Sequence, residues 1–220
     1  MRKRYRAVLF DLDGTLVDSY AALEQAINFS LRRHDLSDLP AGRIREYVGD
    51  GVEKLLERAF GRADVPLSAH EAFEQRYDQI CCTESKVLAE VEATLHLLAG
   101  RDIAMAVCTN KPTGFSTKIL EALELASLFK GIVGPDMAGA RKPDGRHVLA
   151  ALASTGAAVT EALFVGDMPV DVRAARNGGT DVAVVATGSS SADELRAAEP
   201  DYFLARFSDL LTLVRDGEAA

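Results

Sequence analysis

The residues of this chain that combine reactive types with suggestive spacing are Asp11, Asp13, Thr109, Lys142, Asp167 and Asp171. Asp11 and Asp13 close an apolar run, Ala7 to Phe10, within Asp11-Leu12-Asp13-Gly14-Thr15. Alternation at a strand end puts the two carboxylates in one neighbourhood, and Gly14 permits a sharp turn out of the strand. An unpaired carboxylate at the end of an apolar run is costly, so Asp11 needs a partner. Thr109-Asn110-Lys111 follows a second apolar run, where a hydroxyl and the amides opening a helix can hold phosphate oxygens. Lys142 lies in Arg141-Lys142-Pro143, with Arg141 read as a surface charge. Gly166-Asp167-Met168-Pro169-Val170-Asp171 follows a third run. Pro169 suits a first helical turn and Gly178-Gly179 would stop that helix, so Asp167 and Asp171 share one side of its start.

Each of these has an ordinary explanation when taken singly. Thr109 could be an N-cap, Lys142 a solvated charge, and Asp167 or Asp171 a partner for a helix dipole. The set as a whole weighs differently. Four carboxylates, Asp11, Asp13, Asp167 and Asp171, are expected at one edge of a sheet. Two like charges about 4 Å apart cost on the order of 4 kcal/mol at an effective dielectric near 20. Either some stay protonated or a cation sits among them. Oxygen ligands without nearby His or Cys favour a hard ion, Mg²⁺ before Ca²⁺ or Mn²⁺. Mg²⁺ held by a few carboxylates, its shell completed by water and substrate phosphate, suits phosphoryl transfer.

The elements that must position these groups follow from the apolar pattern. Ala7 to Phe10, Ile103 to Val107, Gly131 to Val133, Leu163 to Val165 and Val182 to Val185 read as buried strands alternating with helical stretches. Tyr202 to Leu204 adds one more strand. The fold class is α/β, a Rossmann-like, doubly wound, mainly parallel sheet. Between Leu16 and Thr83 the pattern changes. Leu23, Ile27 and Leu31 share a helical face, as do Leu55, Leu56 and Phe60, and then Phe73, Tyr77 and Ile80. An inserted helical cap over residues 16–83 is expected, with the α/β core formed by 1–15 and 84–220. Such a cap would sit over the carboxyl ends of the strands, where open α/β sheets bind ligands.

Bulk properties exclude several classes. With 220 residues, 48% of them apolar, the chain can bury a core and a companion subdomain. The basic start, Met1 to Arg6, leads into an apolar stretch too short for a secretory leader, and no run approaches the roughly 20 residues of a spanning helix. A net charge of −8 argues against nucleic-acid or anionic-membrane partners but not against a small anionic substrate. Cys81, Cys82 and Cys108 are expected as reduced thiols in a cytoplasm, Cys108 as a core residue. The scattered histidines, His34, His70, His96 and His147, show no ligand spacing. The tail beyond Leu210 should form a short helix and then fray. The pattern fixes no oligomeric state, and a homodimer is admitted.

In order and spacing these signatures resemble the haloacid dehalogenase superfamily phosphatases. Asp11-x-Asp13-Gly14-Thr15, Thr109, Lys142 and Gly166-Asp167-x-x-x-Asp171 occur in the family's order, with a cap between the first two. Val48-Gly49-Asp50-Gly51, Cys108-Thr109-Asn110-Lys111-Pro112 and Arg141-Lys142-Pro143-Asp144 are similar to the phosphoglycolate phosphatase branch. The resemblance implies that Asp11 attacks phosphorus to form an aspartyl-phosphate and that Asp13 is the acid and base. Thr109 and the Asn110 amide would hold phosphate oxygens, and Lys142 would neutralise charge. Mg²⁺ would be held by Asp11, the Asp13 carbonyl and Asp167, supported by Asp171. Gly49 to Gly51 precede a helical pattern, so amides near Gly51 could receive a substrate carboxylate. Arg43, Arg45 and Lys54 read as solvated helix faces. A sugar phosphomutase of the same superfamily, with the same Asp pair, is the nearest rival; a non-catalytic binding protein on this fold is the next. Dehalogenases lack Asp13's acid/base group, and phosphonate-cleaving relatives place a lysine in the cap.

Overall fold

The structure, a computed structural model, describes residues 5–214. Six strands form one sheet: β1 (Ala7–Phe10), β4 (Ala104–Cys108), β5 (Gly131–Val133), β6 (Ala162–Gly166), β7 (Asp181–Val185) and β8 (Tyr202–Leu204). Their order is β5-β4-β1-β6-β7-β8, and every neighbouring pair is parallel. Both faces of the sheet are buried, which is why its strands read as apolar runs without alternation. Val8 and Phe10 point into one core and Ala7 and Leu9 into the other. Each large side chain buried this way contributes about 1.5–3 kcal/mol. β1 lies between β4 and β6, so the chain leaves it in opposite directions and opens a crevice at its carboxyl end.

Helices α1 (Tyr20–Arg32), α2 (Ala41–Arg45), α3 (Val52–Phe60) and α4 (Leu67–Ile80) follow β1 with no strand of the sheet among them. Leu23, Ile27 and Leu31 of α1 are buried together with Phe73, Tyr77 and Ile80 of α4, and Leu55 and Leu56 of α3 join them. Phe60 only packs against the rim of that cluster. The two chain passages into this layer pair as a short antiparallel ribbon, β2 (Val17–Asp18) with β3 (Lys86–Val87), which the sequence pattern did not signal. On the core, α5 (Val91–Ala99), α6 (Thr113–Ala122) and the expected short α11 (Leu210–Leu213) cover one face. Helices α8 (Gly145–Ala153), α9 (Pro169–Gly178) and α10 (Ala192–Ala197) cover the other, with the single turn α7 (Pro135–Ala138) following β5. Among the described residues no helix is long and apolar enough to cross a membrane. The first residues of the basic start and the fraying expected after α11 lie outside the described residues.

Candidate active site

Asp11 follows β1 directly, and its amide donates to the Val165 carbonyl at 2.9 Å, continuing the β1–β6 ladder one residue past the strand. The chain then turns sharply: the Leu12 carbonyl receives the amides of Thr15, Leu16 and Val17. Gly14 makes this possible with φ +89°, and a Cβ there would stand 2.6 Å from Asp167 Oδ2. Gly188 closes on the same carboxylate from the loop after β7, so glycines bracket Asp167 on two sides.

Lys142 is buried, contrary to what a lone lysine suggests. Its Nζ lies 2.8 Å from Asp11 Oδ1 and 2.7 Å from Asp171 Oδ1. Burial pulls its pKa down, but Asp11 and Asp171 outweigh that and hold it raised, so the ammonium is secure. The Lys142 backbone is fixed by Asn110: its Oδ1 accepts from the Lys142 amide at 2.8 Å and its Nδ2 donates to the Lys142 carbonyl at 3.2 Å. Nδ2 also donates to the Gly49 carbonyl at 3.0 Å. The Asn110 side chain is thus a brace between core and cap. The expectation that Thr109 and Asn110 stand where a helix opens is corrected, because α6 begins only at Thr113. Thr109 is buried, donates its amide to the Val133 carbonyl at 3.2 Å, and accepts the Lys111 amide on Oγ1 at 3.2 Å.

At the start of α9, Asp171 turns back on its own loop. Its Oδ2 accepts the amides of Asp167 at 3.1 Å and Met168 at 3.0 Å, while Oδ1 takes Lys142. Burial raises its pKa, and Lys142 opposes the rise. Asp167 is fully buried; Oδ1 accepts from Thr15 Oγ1 at 2.7 Å, whereas Oδ2 has no hydrogen-bond partner. Burial, then the charges of Asp11 and Asp171, push its pKa well up. Asp11, Asp167 and Asp171 each offer a carboxylate oxygen within 4.8 Å of the others. An orphaned, buried carboxylate oxygen in an all-oxygen cluster is the environment a hard divalent cation completes, so the residues fit such an ion.

The sequence grouped four carboxylates; the fold brings three together and turns the fourth away. Asp13 faces the cap, with Lys111 Nζ 2.5 and 2.6 Å from its two oxygens and the Ser19 hydroxyl donating to Oδ1. Lys111 is buried as well; burial works against its charge, and Asp13 more than compensates. Asp11, Asp13, Thr109, Asn110, Lys111 and Gly51 all line one cleft between core and cap, with Leu23, Val52, Leu55, Phe73, Tyr77 and Phe115 as its apolar wall.

Two arginines read as solvated are exposed and also reach across the cleft. Arg45 Nη2 donates to the carbonyls of Thr187 at 3.1 Å and Gly188 at 2.9 Å, and its guanidinium stacks 4.2 Å from the Tyr20 ring centre. Arg141 pairs with Glu53 of α3 at 3.0 Å. Arg43 and Lys54 do face solvent, paired with Glu46 and Glu57 on their own segment. The Lys111–Asp13 pair and the Thr187–Gly188 loop were not foreseen. A signal for the loop existed, since it follows β7 as Asp11, Thr109 and Asp167 follow their strands. Cys108 is a core residue whose thiol burial pushes up to about 12. Cys81, Cys82 and Cys108 are all free thiols.

Comparison with known proteins agrees with this geometry. The family model for haloacid dehalogenase-like hydrolases matches residues 8–185. A phosphoglycolate phosphatase of Caulobacter vibrioides is 40% identical over 187 residues, 82% of this chain and 79% of that protein. One of Rhodospirillum rubrum is 40% identical over 195 residues, 84% of this chain and 81% of that protein. A crystal structure described as a predicted phosphoglycolate phosphatase from Haemophilus somnus superposes with a TM-score of 0.86 at 26% identity, covering 95% of this chain and 97% of that one. With a family match across most of its length and relatives at this identity, the chain belongs to the haloacid dehalogenase-like hydrolases.

Proposed function

We propose that the protein is a magnesium-dependent phosphomonoester hydrolase acting through an aspartyl-phosphate on Asp11, with 2-phosphoglycolate as substrate. The observation that carries the reaction type is the buried set itself: Asp11 on the Lys142 ammonium, beside an Asp167 oxygen that no protein donor satisfies. The substrate rests on the relatives, which bear that activity in their names.

An Asp11 carboxylate oxygen attacks phosphorus, the ester P–O bond breaks, and Asp13 gives a proton to the departing alkoxide. Water then attacks the same phosphorus, Asp13 takes its proton, and the bond to Asp11 breaks to release inorganic phosphate. Thr109 and the Asn110 amide hold phosphoryl oxygens, and Lys142 offsets charge on Asp11 and the phosphoryl group. Asp11, the Asp13 carbonyl and Asp167 would hold the cation, and Asp171 orients Lys142 and the loop that carries Asp167. Mg²⁺, when bound, would supply positive charge to offset that of the phosphoryl group. Gly51, at the start of α3, faces the substrate's far end. The cap excludes water from the site.

The test is phosphate release from 2-phosphoglycolate, sugar phosphates, nucleotides and an aryl phosphate, with and without Mg²⁺, using Asp11→Asn as control. Release should need Mg²⁺, vanish in the variant and be fastest on 2-phosphoglycolate. Equal rates across the panel would withdraw the substrate. Release that survives Asp11→Asn would withdraw the mechanism.

A further inference from the structure

We infer that Lys111 is the specificity-determining residue of this site, pairing with an anionic group on the leaving portion of the substrate. The inference deepens the phosphatase reading and rests on it. It starts from the wall of the cleft. Leu23, Val52, Leu55, Phe73 and Phe115 are apolar, and among the described residues that line the cleft Lys111 is the only cation. A substrate carboxylate entering such a wall loses its water and binds only if an ion pair replaces it.

Lys111 is built for that exchange. An ammonium has three donors, and Asp13 occupies its Nζ at 2.5 and 2.6 Å from two carboxylate oxygens. On another side the ammonium meets Tyr77, its Nζ 5.2 Å from the ring centre, with the buried Tyr77 hydroxyl as its neighbour. That hydroxyl and the cation together form a polar corner in an otherwise apolar chamber. Gly51, which opens α3, lies on the same cleft.

The experiment compares kcat/KM for 2-phosphoglycolate with that for 2-hydroxyethyl phosphate, which replaces the carboxylate by a neutral group, in wild type and Lys111→Met. Any harm the substitution does to Asp13 or to folding is common to both substrates and cancels in the ratio. The preference for the carboxylated substrate should fall by about ten- to hundredfold, the range for a lost charged hydrogen bond. Lys111→Arg, which restores a cation, should recover part of it. Should Lys111→Met give no folded protein, Lys111→Gln is read by the same ratio. A ratio unchanged while both rates fall would overturn the inference and leave the phosphatase reading standing. Wild-type protein inactive on both esters would remove the reading and the inference together.

Discussion

His147 shows how far a single side chain can be argued. It is fully buried on α8, with Nε2 3.0 Å from the Val133 carbonyl. A carbonyl only accepts, so Nε2 carries the proton and Nδ1, which has no partner, is a bare acceptor. Burial lowers its pKa, the Val133 bond opposes this, and the nearby Lys142 charge lowers it further. The sign follows from proton counting. Below about pH 6.5 the unfolded chain takes a proton on this ring and the folded chain does not, so stability falls as the pH falls. The slope from one such group is at most about 1.4 kcal/mol per pH unit. Urea unfolding near pH 7.5 and near pH 5.5 should show wild type losing about 1 kcal/mol more than His147→Gln across that interval. Parallel losses would mean that His147 titrates normally. The sequence marked Asp11, Asp13, Thr109, Asp167 and Asp171 because each follows an apolar run, where buried polarity has few causes, and Lys142 by its place in the order of signatures. It could not mark His147 or the Lys111–Asp13 pair, because those depend on which loop faces which.

At the level of elements, polar contacts join the cap helices to the core beside the shared apolar cluster, among them Lys118 with Asp78, Arg141 with Glu53, and Arg45 with the loop after β7. Arg45, the last residue of α2, binds the carbonyls of Thr187 and Gly188, and Gly188 in turn presses on Asp167. The clasp therefore connects the cap with the carboxylate cluster. Arg45 is exposed, so its hydrogen bonds are screened and contribute at most about 1 kcal/mol. Arg45→Ala should raise KM by up to about fivefold with little change in kcat, because it loosens closure without touching the reacting atoms. Steady-state kinetics on 2-phosphoglycolate decides this: a fall in kcat with KM unchanged would place Arg45 in the chemistry. The β-strands were legible because both faces of the sheet are buried, and the cap helices because their apolar residues recur at helical spacing. The β2–β3 ribbon was not, since two-residue strands carry no period. Arg45 and Arg141 are exposed as expected, and what the sequence could not show is which groups across the cleft they reach.

For the whole molecule, the charge balance at the site works against the fold. The chain carries a net −8, yet two buried lysines stand at its active cleft, each matched to carboxylates. Asp167 is the member left over. Without a cation it is a buried acid beside Asp11 and Asp171, and one of its oxygens is unsatisfied. Replacing a buried ionisable group that lacks a partner with a neutral isostere removes its desolvation cost, on the order of 1–3 kcal/mol. Asp167→Asn keeps an acceptor for Thr15 and removes the charge. In chelator, the variant should therefore melt above wild type, by about 2–4 °C for each kcal/mol gained in a chain of this size. Excess Mg²⁺ should raise the wild-type melting temperature, with about 2.7 kcal/mol available at a hundredfold excess over its dissociation constant. The same Mg²⁺ should leave Asp167→Asn nearly unmoved, and phosphate release by the variant should drop to background. Thermal unfolding of both proteins in chelator and in Mg²⁺ separates the cases. If the variant is the less stable in chelator, Asp167 is a supporting residue of the fold. If Mg²⁺ shifts both proteins equally, the ion binds elsewhere. Only a more stable, metal-insensitive and inactive variant fits a carboxylate kept at the cost of stability for the sake of the reaction.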